Sequence, residues 1–183
     1  NPAPSFANDV EPVLMKAGCN AGGCHGAAAG KNGFRVSLFG FDPGMDYINL
    51  TRDNRGRRMN TGSPDDSLML LKATGDVVHD GGSRFEKNTP LYNTLHRWIA
   101  EGAQNDATPP PSLTAVEILP KSAVLEGKGA QQRFVVRGIY SDGSDRDVTS
   151  LAILSTSDEQ TCGFDTTQAV ATAGDQGEGY IMA

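Results

Sequence analysis

Two cysteines and a histidine stand together near the start of the chain, in "GCNAGGCHG" from Gly18 to Gly26. Thiols at Cys19 and Cys24, with the His25 imidazole directly after the second, are the parts of a covalent haem attachment site, whose usual signature is Cys-x-x-Cys-His. In that chemistry the two thiols add to the two vinyl groups of the porphyrin and the neighbouring imidazole lies under the iron. Here four residues separate the cysteines instead of two. Gly22 and Gly23 lie among them and let the chain bulge, so the wider spacing is physically tolerable.

A haem iron that passes electrons without binding other molecules needs a sixth ligand. The candidates are His79, His96, Met15, Met45, Met59 and Met69. Met15 borders the apolar stripe of a first helix and Met69 falls inside a second, so both are expected in the core. His96 falls at the border of an apolar helix face and reads as a surface histidine. His79 sits in the irregular "GDVVHDGGSRF", where glycines permit close approach to a flat macrocycle. It is the expected distal ligand, with Met59 next. Two other chemistries use the same residues: a zinc site of Cys19, Cys24, His25 and His79, and a disulfide between Cys19 and Cys24. Adjacent Cys24 and His25 converge poorly on one tetrahedral ion, which counts against zinc.

The elements that must position these groups are helical in the first half. "NDVEPVLMKAG" predicts a helix capped by Asn8, with Glu11 reaching back to it and Pro12 in its first turn. Gly18 ends it and delivers Cys19. "SPDDSLMLLKATG" predicts a second helix, with Ser63 as cap, Pro64 at its first position and Gly75 as its stop. "TPLYNTLHRWIAEGA" predicts a third, with Leu91, Tyr92, Leu95, Trp98 and Ile99 on one face; Trp98 is expected to pack on Phe6 and Val10. "GFRVSLFGF" alternates and predicts a short extended segment. Phe34, Phe39 and Phe41 are candidate walls for the haem. In the basic run Arg52, Arg55, Arg57 and Arg58, Arg57 or Arg58 is the expected contact for a haem propionate, because guanidinium pairs well with carboxylate.

"DATPPPSL" divides the chain. Its three prolines favour an extended spacer, giving expected domains at 1–107 and 112–183 with a linker at 108–111. The first carries 11 Lys and Arg against 12 Asp and Glu, and residues 108–183 carry 5 against 10. A net charge of −6 lacks the basic footprint of a nucleic-acid binder. No apolar run is long enough to span a bilayer, and no hydrolytic grouping of serine, histidine and acid stands out. In the second half "QRFVVRGIYSDGSDRDVT" predicts a strand with Phe134, Val136 and Tyr140 on one side, a Ser-Asp-Gly turn and another strand. Turns at eight- to twelve-residue spacing give the rhythm of an antiparallel sandwich. Cys162 reads as a small buried hydrophobe, with an intermolecular disulfide or reactive thiol as the other options.

The run from Phe6 to Tyr47, with "RGRRMN", "SPDDSLMLLKATG", "HDGGSRF" and "YNTLHRWIAEGA", resembles the planctomycete-type cytochrome c domains of large exported multidomain proteins. The resemblance covers almost all of residues 5–103. It implies one covalent haem c on Cys19 and Cys24, His25 as proximal ligand, and an all-α class I cytochrome c core whose first and last helices pack together. Relatives carry a methionine-proline pair before the last helix; "HDGG" stands there in this chain, which implies His79 as distal ligand and a low-potential, bis-histidine centre. The second half, in "IYSDGSDRDVT" and "GEGYIMA", is similar to bacterial immunoglobulin-like group 2 domains, which implies an all-β sandwich acting as spacer or adhesion module.

The expected protein is thus an electron carrier, not an enzyme, serving an unidentified redox partner from the periplasm or cell envelope, with further domains downstream. Export follows from haem c chemistry, which is assembled outside the cytoplasm. The alternatives are a ligand-binding or sensory haem, and a structural zinc or disulfide module serving adhesion.

Overall fold

The computed structural model describes residues 3–183. The chain forms two compact units, the first ending at Pro110 and the second spanning Pro111–Ala183.

In the first unit a π-helical turn, Phe6–Val10, runs into helix α1, Glu11–Lys16. The cap is Ser5, whose hydroxyl accepts from the Asn8 N–H, and not Asn8. Pro12 brings no N–H to the ladder and crowds the carbonyl four residues back. The wider winding before it, with the Glu11 N–H donating to the Phe6 carbonyl, is the usual way a helix absorbs that conflict. Helix α2 spans Pro43–Thr51 and is capped by Asp42, which accepts from the Met45 N–H.

The expected second helix is broken. Pro64–Asp66 is a single 3₁₀ turn, Ser67 is extended and fully buried, and helix α3, Leu68–Thr74, follows. Ser67 Oγ accepts from the Asn60 N–H at 2.9 Å, so the serine is spent on the preceding loop. Gly75 closes α3 in the left-handed region. Helix α4, Pro90–Ala100, is capped by Thr89 and buries Tyr92, Leu95, Trp98 and Ile99.

The core of this unit lies where the two ends meet. Phe6 and Trp98, both 1% exposed, have ring centroids 5.5 Å apart, and Tyr47 stands edge-on to Phe6 at 5.3 Å. The Asp106 carboxylate accepts from the Phe6 and Ala7 N–H groups, placing negative charge on a helix start and tying residue 106 to the beginning of the unit.

The second unit holds eight short strands. β1 (Leu113–Leu119), β3 (Val135–Tyr140) and β4 (Asp145–Asp147) form one antiparallel sheet in the order β1-β3-β4. β2 (Gln131–Arg133), β7 (Val170–Ala173) and β6 (Cys162–Asp165) form a second, in the order β2-β7-β6, and β5 (Ser155–Thr156) pairs with β8 (Ile181–Met182). β3 buries Val136, Gly138 and Tyr140, and Gly143 makes the tight turn into β4 at φ +83°. Val136, Val148, Leu154 and Ala169 form the core.

The expected pairing of an all-α class I cytochrome c-like domain with an all-β immunoglobulin-like sandwich is corrected by this architecture. The chain is mixed, with four α-helices of 6 to 11 residues and three small antiparallel sheets among the described residues. Prolines, glycines and side chains spent on loops cut the helices short. Strands of two to seven residues divide among three sheets instead of closing into two facing ones. The alternating segment at 34–41 forms no strand either; Lys31 and Phe34 make an isolated bridge, followed by a 3₁₀ turn at Leu38–Gly40.

Candidate functional site

Helix α1 ends in a Schellman motif. The Gly18 N–H bonds the Met15 carbonyl, the Cys19 N–H bonds the Leu14 carbonyl, and Gly18 takes φ +73°. That turn sets Cys19 at the helix exit. The loop then closes on itself, because the His25 N–H donates to the Cys19 carbonyl at 3.0 Å and the Cys24 N–H to the Ala21 carbonyl at 2.9 Å. The four residues between the thiols are thereby looped out. Gly26 makes this possible: a Cβ there would lie 2.0 Å from the Asn20 carbonyl oxygen.

His25 is held by its own neighbours. Its Nδ1 lies 3.2 Å from the Phe34 carbonyl, and its ring sits 4.6 Å from the Phe34 ring. Arg58 braces that segment, donating to the Gly33 carbonyl at 2.9 Å and lying 4.3 Å over the Phe34 ring. His79 is held in the same manner, with Nδ1 2.9 Å from the Gly82 carbonyl. Arg84 binds the His79 loop to the end of α1, donating to the Gly81 and Ala17 carbonyls.

The two imidazoles, far apart in sequence, face one another. Their planes are within 6° of parallel and their centroids 6.3 Å apart. An imidazole nitrogen ligates a first-row metal at about 2 Å, and both rings border the same cavity. Nδ1–H bonded to a carbonyl leaves the Nε2 lone pair for a metal, and both histidines have that bond. Burial above all, with the charges of His79, Arg58 and Lys31 and against the Phe34 hydrogen bond, lowers the His25 pKa, favouring the neutral ring, the form that can ligate a metal.

Cys19, Cys24, His25, His79, Phe34 and Met69 all line one cavity of about 470 Å³, within the roughly 300–1,000 Å³ of cofactor sites. The three cysteines of the chain are free thiols, and burial pushes the Cys19 thiol up to about 11. Among the described residues, no three of His, Cys, Asp or Glu converge to hold a metal ion. A planar group ligated by two imidazoles and tethered by two thiols fits these donors; a four-ligand zinc centre does not.

The other expected site residues divide between the cavity and the surface. Phe39 is 61% and Phe41 92% exposed, outside the cavity lining; Phe39 takes φ +53° at a turn. Arg58 also lines the cavity; it is 7% exposed, and four of its N–H contacts go to Asn49, Asp53 and Gly33, so it braces the loop that holds His25. Arg57 is exposed and lines the cavity. His96 lies 3.5 Å from Asp65 and stacks on Tyr92, away from the cavity. Met15 is 36% exposed, contrary to its expected place in the core, and Met69 faces the cavity. Cys162 is half-buried on β6 and lines a separate cavity of about 560 Å³ within the second unit. Arg84 was not singled out by the sequence, where a lone arginine after two glycines carries no signal. Among the described residues no helix is long and apolar enough to cross a membrane.

No family model matches the chain, and no match was found among the curated proteins. The chemistry of the site is therefore read from its own residues.

Proposed function

We propose that the first unit is a c-type cytochrome module, an electron carrier with one haem attached through Cys19 and Cys24 and its iron ligated by His25 and His79. One observation carries this reading: two parallel imidazoles 6.3 Å apart, each with Nδ1 tied to a backbone carbonyl, across a cavity that both thiols line. The haem, when bound, supplies reversible one-electron chemistry at its iron.

The chain's own residues hold both ligands still. The Phe34 and Gly82 carbonyls fix the tautomers, and Arg58 and Arg84 fix those carbonyl-bearing loops. Phe34 and Met69 give the cavity apolar walls. Arg57 supplies an exposed guanidinium at its edge for a propionate carboxylate. Two histidine ligands, with no methionine, favour a low potential. Arg52, Arg55 and Arg57, all exposed, offer cationic ground for an acidic redox partner. Haem c assembly would place the protein outside the cytoplasm.

The test is the intact denatured mass after expression with cytochrome c maturation factors, together with a free-thiol count. A gain of one haem with one thiol remaining, Cys162, is expected. An unchanged mass despite competent factors would end this reading.

A further inference from the structure

Glu11, Asn20 and Asp46 form a buried polar cluster that the proposed haem site does not use. Glu11 is 5% exposed; Asn20 and Asp46 are fully buried. They come from three different places: Glu11 from α1, Asp46 from α2, and Asn20 from the loop between the two thiols, directly after Cys19. Gly40 shows how close Glu11 and Asn20 stand. A Cβ on that glycine would lie 2.9 Å from Glu11 Oε2 and 3.8 Å from Asn20 Nδ2.

The hydrogen bonds reveal where a proton must be. Both oxygens of Asp46 accept from Ser37, one from its N–H and one from its hydroxyl, each at 2.5 Å, so both already have donors. Both oxygens of Glu11 lack any partner among the described residues, as do both polar atoms of the Asn20 amide. A buried carboxylate without a donor costs several kcal/mol. A protonated Glu11 removes the conflict, because its O–H donates to a carboxylate that still has free lone pairs. The charged group acting on Glu11 is Asp46; Asn20 is its neutral neighbour.

We infer that Glu11 and Asp46 share one proton, which the protein takes up as the haem is reduced and releases as it is oxidised. This rests on the proposed haem attachment. The step balances simply: one electron from a one-electron reductant enters the iron, and one proton from water enters the acid pair. Reduction removes one positive charge from the centre, whose attachment loop contains Asn20, and so raises the pair's affinity for the proton. Burial, then the neighbouring Asp46, pushes the Glu11 carboxyl up to about 8, which sets the exchange near neutral pH. The module then carries a proton with its electron.

The experiment is a redox titration of the haem-loaded protein followed optically from pH 5.5 to 9.5, for wild type, Glu11→Gln and Asp46→Asn. Wild type is expected to lose potential with rising pH across a neutral window, at a limiting slope of about 59 mV per tenfold change in proton activity. Glu11→Gln keeps the shape and cannot ionise, so its profile should be flat there. Asp46→Asn tests the same pair if the first variant folds poorly. The reduced-minus-oxidised infrared spectrum should carry a protonated-carboxyl band that Glu11→Gln removes. A wild-type slope retained in both variants, or a wild type flat throughout, overturns the inference while leaving haem attachment standing. Absence of haem in the mass spectrum would overturn both.

Discussion

Arg58→Lys separates a bracing arginine from one that binds a cofactor carboxylate. In the structure Arg58 is nearly buried and donates to the carbonyls of Asn49, Asp53 and Gly33 at 3.0, 3.2 and 2.9 Å, with its guanidinium over Phe34. A lysine keeps the charge and reaches one of those carbonyls, leaving two without partners and the ring without its planar cation. Charge-assisted hydrogen bonds are each worth about 1.5–3 kcal/mol, and such losses are not additive, so the expected cost is about 3 kcal/mol. The chain has one tryptophan, Trp98, buried in the core of the first unit. Its fluorescence reports that unit's unfolding in the haem-free protein. With a urea slope of roughly 1.5 kcal/mol/M, the midpoint should fall by about 2 M. Arg57→Lys, on an exposed side chain, should change stability by less than about 0.5 kcal/mol, a midpoint shift of less than about 0.3 M. Equal midpoints for the two variants, with a loss confined to the haem-loaded form, would refute the bracing role and restore Arg58 as a propionate ligand.

Gly26→Ala should cost about 1–3 kcal/mol and lower the haem-loaded fraction by mass, since its Cβ meets the Asn20 carbonyl. Gly23→Ala, with nothing within 4 Å, should do neither, and equal effects would count against the looped-out geometry. His79→Ala, made with Met69→Leu because Met69 lines the same cavity, should let the reduced protein bind carbon monoxide while wild type stays inert. Rapid spectral change in wild type would favour a ligand-binding haem instead. Folding stability of the haem-free first unit should decline as pH rises from about 4.5 to about 8 and level off above. Glu11 is raised from 4.5 to about 8 when folded, so the native state binds the extra proton in that window. Urea midpoints across pH measure this, and Glu11→Gln should remove the decline.

What the sequence made legible was local. Helix α4 announces itself with Thr89 and Pro90 at its start and apolar residues three and four apart. Helix α2 does not, because proline and glycine are turn formers as often as helix openers, although here Asp42 caps the helix and Pro43 opens it. Glu11 looks like the partner of a capping box, yet Ser5 makes the cap and Glu11 is buried, its carboxyl oxygens without a hydrogen-bond partner among the described residues. Closure of the strands depends on pairings that short segments underdetermine, so the turn rhythm suggested a sandwich that the three sheets do not make.

The site divides along the same line. Cys19, Cys24 and His25 are adjacent in the chain and carry their chemistry in their residue types; His79 could be reached from a glycine-rich loop and the lack of better ligands. The groups that aim those ligands are backbone carbonyls, at Phe34 and Gly82, and every residue has one. No residue type marks a carbonyl as the one that fixes an imidazole. Substituting side chains around His25 would also pass over it, unless the substitution moves the backbone. Arg58 and Arg84 are the side chains whose bonds position those stretches of backbone. Their removal should therefore disturb the proposed iron ligation although neither arginine is a proposed ligand.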